Sequence, residues 1–394
     1  MDALQNPFAP GAGSPPPELS GRAGLLARAS TALGRIQHGR AEKGVVLVGL
    51  RGVGKTVLLS EIRRRAEAAK FRTCDIEAHE GKPLPALLVP QLRRVLLELD
   101  RLESLSEQVK RALRVLKSFM NGLKTKIGEV EISLDIDAET GAADSGDIEA
   151  DLPELLVAIG RAAQARQVAL GIFIDEIQYF STTELSALIM AMHRISQDQL
   201  PVILFAAGLP QVVALFGNSK SYAERLFDFP QIAALSLADT IDALRKPALA
   251  EGVDFSVQAA EHIYQCAHGY PFFIQEWGYQ TWNDAPASPI TRQDAERATA
   301  PTIARLDNGF FRVRFDRLTP REKNYLRAMA ELGPGPYRSG EVAGALGKKS
   351  TSLGPLRDGL IGKGMIYAPA YGDIAFTVPL FDEFMRRIMP KEAI

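Results

Sequence analysis

The chain has 394 residues, 46% of them hydrophobic and 24% charged, with a formal net charge of −1. That length allows two or three domains around a large core, and the composition excludes a disordered or fibrous chain. A near-neutral balance gives no global pull toward nucleic acid, so any such contact must come from a local patch.

Only Cys74 and Cys266 carry thiols, neither in a Cys-x-x-Cys pair, and the five histidines lack metal-ligand spacing. Two buried thiols in a reducing compartment are expected. Residues 1–17 hold no basic and apolar leader, and no run of about 18 apolar residues occurs. A cytoplasmic protein without a membrane span is the expectation.

Residues 1–19 are rich in proline and glycine and predict an extended arm, because proline fixes φ and donates no backbone hydrogen bond. Ser20-Gly21-Arg22 leads into a helix over 23–38. Residues 44–50 (GVVLVGL) read as a buried parallel strand. A helix over 56–70, a strand over 71–78 and a helix over 85–99 follow.

An insertion over 102–152 opens with a basic amphipathic helix (QVKRALRVLKSF). Val130, Ile132, Leu134 and Ile136 then alternate with Glu129, Glu131, Asp135 and Asp137, which predicts a strand with one wet acidic face. From Glu129 to Glu154 there are ten acidic residues and no Lys or Arg. That pattern fits a solvated insertion, or else a partner surface or an autoinhibitory element that mimics nucleic acid.

A helix over 153–166, a strand over 168–175, a helix over 183–197, a strand over 201–207 and a fifth strand over 232–237 complete an alternating series. Such alternation indicates an α/β fold with a doubly wound parallel sheet. Beyond it the pattern is helical, over 240–250, 257–267 and 272–282, with Trp277 and Trp282 as core anchors. Helices over 321–332, 339–346 and 352–361 precede two strands, 365–368 and 374–378, that turn at Tyr371-Gly372-Asp373. Three helices followed by a hairpin describe a winged helix.

The segment Gly49-Leu50-Arg51-Gly52-Val53-Gly54-Lys55-Thr56 carries the chemistry, because it fits the phosphate-loop pattern G-x-x-x-x-G-K-[ST]. Its glycines let backbone N–H groups curl around phosphate oxygens. The helix that follows aims its positive end at the same anion. Lys55 reaches the β- and γ-phosphates of ATP, and the Thr56 hydroxyl is a hard oxygen ligand for Mg²⁺. A second element, Ile172-Phe173-Ile174-Asp175-Glu176, ends an apolar strand in two carboxylates, where open α/β sheets bind ligands. Asp175 is the second expected metal residue and Glu176 the base for an attacking water.

Together these residues resemble the AAA+ P-loop ATPases, in the branch shared by the initiator-clade (origin-recognition-like) proteins and the STAND signalling ATPases. The resemblance runs from about residue 20 to the C-terminus. It implies an arm (1–19), a nucleotide-binding core (20–237), a helical lid (238–318) and a winged helix (319–394). It implies further that Gly21 and Arg22 lie near adenine, and that Gly269-Tyr270-Pro271 is a lid element contacting the nucleotide through Gly269 and Pro271. Arg225, within Tyr222-Ala223-Glu224-Arg225-Leu226-Phe227, occupies the place of an arginine finger acting on a neighbouring subunit of a homo-oligomer; an internal salt bridge with Glu224 or another acid is the alternative. The fourth strand ends in Ala206-Ala207-Gly208, without the family's polar sensor, which implies slow hydrolysis.

Residues 321–394 hold 11 Lys and Arg against 8 Asp and Glu. Lys348, Lys349, Arg357 and Lys363 cluster about the presumed recognition helix, so double-stranded DNA is one expected partner. A protein partner is the other. The functions implied are an ATP-hydrolysing switch, a non-hydrolysing STAND-like scaffold, or a DNA-binding regulator whose phosphate loop sets only the oligomeric state.

Overall fold

The computed structural model describes residues 1–11, 16–100, 106–127, 137–333 and 335–390. The chain divides into two compact units. One comprises 23–48 and 55–231; the other comprises 1–22, 49–54 and 232–394.

The first unit is built on five strands: β1 (Gly44–Val48), β2 (Arg72–Glu77), β3 (Leu170–Asp175), β4 (Val202–Gly208) and β5 (Phe227–Asp228). They lie in the order β2-β3-β4-β1-β5 and every pairing is parallel, with Val46 opposite Ala206 and Ile172 opposite Leu204. All seven residues of β4 are buried, the pattern of a central strand covered on both faces. The strand order changes direction at β1, which marks the carboxyl ends of β1, β4 and β3 as the ligand edge.

One expectation changes here. The fifth strand is Phe227–Asp228, not 232–237. Phe227 is 2% exposed and packs edge-on against Phe216, whereas Ser236 is spent as the cap of helix Leu237–Ala250, accepting from Asp239 N at 3.1 Å. The amphipathic helix that opens the insertion is covered on one face. In helix Glu107–Ile127, Val109, Ala112, Leu113, Leu116, Phe119 and Leu123 are all buried in the core of this unit, the i, i+3, i+4 spacing of a helix with one covered face.

The described acids of the insertion serve its own chain. Glu139 pairs with Arg111 at 3.0 Å and Arg114 at 2.9 Å. Asp151, 2% exposed, accepts from the Ser145 and Gly146 amides and the Ser145 hydroxyl. Helix Ile148–Ala165 begins five residues before the expected 153 because Asp147 caps it. The expected acidic strand falls largely on 128–136, outside the described residues.

In the second unit the N-terminal arm is not free. Phe8 is 2% exposed, edge-on to Phe255 and Trp282, and Asn6 Nδ2 donates to Tyr279 O and Asn283 Oδ1. Four helices follow: Leu237–Ala250, Val257–Ala267, Pro271–Asp284 and Arg292–Leu306. Sequence periodicity missed the fourth, although Thr291 and Asp294 form its capping box. Trp277 and Trp282, each 1% exposed, are core anchors as expected. A π-helical turn, Asp307–Phe311, and a short helix, Arg312–Asp316, lead onward.

The C-terminal part is a winged helix. Helices Pro320–Glu331, Ser339–Ala345 and Gly354–Gly362 accompany an antiparallel sheet of β6 (Tyr337–Arg338), β7 (Ile366–Tyr367) and β8 (Asp373–Phe376), in the order β6-β8-β7. Strand β6 and the closing helix Phe381–Ile388 add to the expected pattern. Among the described residues no helix is long and apolar enough to cross a membrane.

Candidate nucleotide site

The phosphate loop begins in one unit and ends in the other. In the sheet unit, helix Lys55–Ala68 starts immediately after Gly54. Its first-turn N–H groups have no helical partner, and its dipole favours an anion there. Lys55 is 6% exposed.

The Thr56 hydroxyl donates to Asp175 Oδ2 at 2.6 Å, joining the helix start to the end of β3. Burial pushes the Asp175 pKa up and the charge of Glu176 reinforces the shift; the Thr56 hydrogen bond and Lys55 oppose it. A hydroxyl against a half-buried carboxylate is a donor pair suited to a hard divalent cation, whose charge would offset the cost of burying the carboxylate. The residues therefore fit Mg²⁺.

Glu176 adopts a left-handed backbone, φ 52° and ψ 37°, as the chain leaves β3 for a short 3₁₀ turn, Ile177–Tyr179. A non-glycine residue there stores about 1 kcal/mol or more of strain. Its own N–H donates to Asp175 Oδ1 at 2.8 Å, and its Oε2 accepts from Gln178 Nε2. Gln178 Oε1 in turn accepts from Leu209 N at 3.1 Å.

In the other unit, Gly49–Gly54 of the loop is gripped chiefly through its backbone. Gly52 and Gly54 hold φ +81° and +89°, values that glycine adopts without strain. The Arg22 guanidinium donates to Val53 O at 3.2 Å and to Ala233 O at 2.6 Å. Burial lowers the Arg22 pKa and Asp239 raises it back; the group stays charged. Arg22 is thus a clamp on loop carbonyls, and Gly21 lies against the Asp239 carboxylate.

Phe272 N donates to Gly52 O at 3.2 Å, and Arg51 N donates to Thr377 O at 3.1 Å. The first bond comes from the start of helix Pro271–Asp284, directly after Gly269-Tyr270-Pro271. The second reaches the winged helix. Gly269 (φ +71°) sits so close to Leu235 that a Cβ would lie 2.3 Å from its carbonyl oxygen. The structure thus brings Gly21, Arg22, Gly49, Leu50, Arg51, Gly52, Val53, Gly54, Gly269 and Pro271 into one unit, and Lys55, Thr56, Asp175 and Glu176 into the other.

Arg225 lies on the short helix Ala223–Leu226 and is exposed. Neither Glu224 nor any other acid pairs with it among the described residues, so the internal salt bridge is corrected. On the winged helix, Lys348 and Lys349 are exposed and make no ion pair among the described residues. Arg357 is instead paired with Asp358 at 3.2 Å, and Lys363 with Glu322 at 2.7 Å. Two of the four expected phosphate contacts are therefore engaged within the domain.

Sequence reasoning missed Gln178 and Thr377. Gln178 left a trace, a polar residue two places after the Asp-Glu pair. Thr377 contributes a main-chain oxygen from over three hundred residues away along the chain, and no side-chain pattern reports that. Cys74, fully buried with its pKa pushed up to about 12, has no part in the site.

A family profile described as an AAA ATPase domain matches residues 18–205, and one described as a domain of unknown function matches 308–385. No curated protein sequence matches the chain. Among solved structures, a Walker-type ATPase of Pyrococcus abyssi is similar at 16% identity and TM-score 0.56, over 93% of this chain and 96% of that one. The RuvB Holliday junction branch migration motor of Thermotoga maritima aligns at 16% identity and TM-score 0.45, over 92% and 96% of the two chains. Cdc6p from Pyrobaculum aerophilum aligns at 14% identity and TM-score 0.48, over 100% and 99%. Residues 18–205 thus match the AAA ATPase domain profile, within a chain whose fold is similar to that of the Pyrococcus Walker-type ATPase.

Proposed function

We propose that this protein is an ATP-dependent switch that hydrolyses ATP slowly and signals its nucleotide state through the winged helix. The observation that carries the reading is the Arg51 N to Thr377 O bond at 3.1 Å. It ties the phosphate loop to the winged helix through main chain, alongside the Phe272 bond to Gly52. Occupancy of the loop shifts backbone that both domains hold. A ligand with different affinity for the two arrangements then moves the equilibrium between them.

The chemistry follows from the residues. Lys55 neutralises phosphate charge, and the loop N–H groups and helix dipole orient it. Thr56 and Asp175 would hold Mg²⁺, which when bound offsets the charge of the transferring phosphoryl group. Glu176 polarises the attacking water. Arg225, exposed and without an acidic partner among the described residues, is available to a neighbouring copy, so hydrolysis per subunit should rise with protein concentration.

Turnover measured with and without duplex DNA tests the reading. A wild-type rate that falls at least about tenfold in Glu176→Gln supports a hydrolytic switch. Bound but unhydrolysed ATP would leave the non-hydrolysing scaffold. For the output domain, the Lys363–Glu322 and Arg357–Asp358 pairs favour a protein partner over DNA. Duplex binding at low salt that is lost in Lys348→Glu with Lys349→Glu would reverse that preference.

A further inference from the structure

Strand β4 ends in Ala206, Ala207 and Gly208, which offer no polar side chain at the ligand edge of the sheet. The space is filled from the neighbouring strand. Gln178 reaches across and accepts the Leu209 N–H at 3.1 Å. A Cβ on Gly208 would lie 2.9 Å from Gln178 Oε1 and 3.2 Å from Ile177 Cγ2. Only glycine at 208 therefore leaves room for the amide.

The Leu209 N–H can only donate, so it fixes which end of the Gln178 amide is oxygen. The NH₂ end is then turned toward Glu176, whose Oε2 accepts from it. Glu176 itself sits on a strained left-handed backbone, and its side chain does not cap the turn that follows. The 3₁₀ turn Ile177–Tyr179 places residues 176 and 178 close enough for this bond. The network runs Leu209 N–H, Gln178 amide, Glu176 carboxylate, and each link has one permitted polarity.

We propose that Gln178 is the positioning residue for Glu176, an amide relay that replaces the missing polar side chain of β4 and sets the orientation in which the Glu176 carboxylate meets water. The proposal rests on the hydrolytic reading above. Gln178 touches neither phosphate nor the metal residues in this account and acts only through Glu176.

The test is steady-state ATP hydrolysis by the full chain with Mg²⁺, comparing wild type, Glu176→Gln, Gln178→Glu, Gln178→Leu and the double variant Glu176→Gln with Gln178→Leu. Gln178→Glu keeps the size and the acceptor for Leu209 N–H but removes the donor. Its kcat should fall about tenfold, the scale of one hydrogen bond to a charged group, with KM for ATP changed by less than about twofold. Gln178→Leu should fall similarly. The double variant should be no slower than Glu176→Gln, because both changes remove one function. Wild-type turnover in both Gln178 variants, or losses that multiply in the double variant, would overturn the inference while leaving the hydrolytic reading in place. A wild-type protein without turnover would instead overturn that reading, and this inference with it.

Discussion

The two parts of the phosphate-loop motif, each taken within its own unit, are held in different ways. At the end of β3, side chains bind side chains: Thr56 to Asp175, and Gln178 to Glu176. Around Gly49–Gly54 the loop is held chiefly through main-chain atoms, with Arg51 N on Thr377 O, Phe272 N on Gly52 O, and Arg22 on Val53 O. The first arrangement can be tuned one residue at a time. The second transmits backbone position, and most single side-chain truncations leave it standing. Chemistry and coupling thereby fall to different units of the chain.

The comparison breaks first at Lys55. Lys55→Ala should weaken ATP affinity by about 100-fold or more, since it removes the one mobile charge facing two phosphates. Isothermal titration on folded protein reads this, and undiminished affinity would remove the phosphate-loop assignment. Arg22 is the exception within the backbone-held half, because it is the side chain doing the holding. Arg22→Met keeps most of the side-chain length but removes the Nη2 that donates to both Val53 O and Ala233 O. ATP affinity should fall about tenfold, with loss of one or two hydrogen bonds from a charged donor. An unchanged affinity would show that the loop needs no clamp from Arg22.

The smallest effect sharpens the side-chain end. The folded-state pKa of Asp175 is raised by burial, so its ionisation opposes folding. At low pH, where the carboxyl is protonated folded and unfolded, nothing is lost; as pH rises through the raised value, stability falls. Asp175→Asn should therefore gain melting temperature over wild type as pH rises, by about 2 °C at neutral pH without ligand. The same variant should lose the Mg²⁺ dependence of ATP binding. A melting difference that does not change with pH would contradict the burial argument.

Much of the sheet unit was legible in the sequence. The strands at 44–48, 170–175 and 202–208 are apolar runs closed by glycine or acids, the strand at 72–77 is more polar, and both chemical motifs sit at strand ends where mechanism requires them. The fifth strand was misplaced because its two residues give no periodicity; its position is fixed by Phe227 packing on Phe216. How the arm is anchored was not legible, because local proline content says nothing of Phe8, whose ring finds Phe255 and Trp282 across long sequence separation. Lys348, Lys349, Arg357 and Lys363 looked alike as charges. Only the fold reveals that Glu322 neutralises Lys363.

The central claim is that the phosphate loop and the winged helix are coupled through Arg51 and Thr377. Amide hydrogen exchange of Glu176→Gln, with and without saturating ATP and Mg²⁺, addresses it most directly. Coupling predicts that exchange changes together at the Arg51 amide and in the hairpin strands Ile366–Tyr367 and Asp373–Phe376, and that a double-stranded DNA or protein ligand of the winged helix alters the Arg51 amide in return. A change confined to residues 49–56, with the hairpin unaffected by nucleotide, would contradict the account.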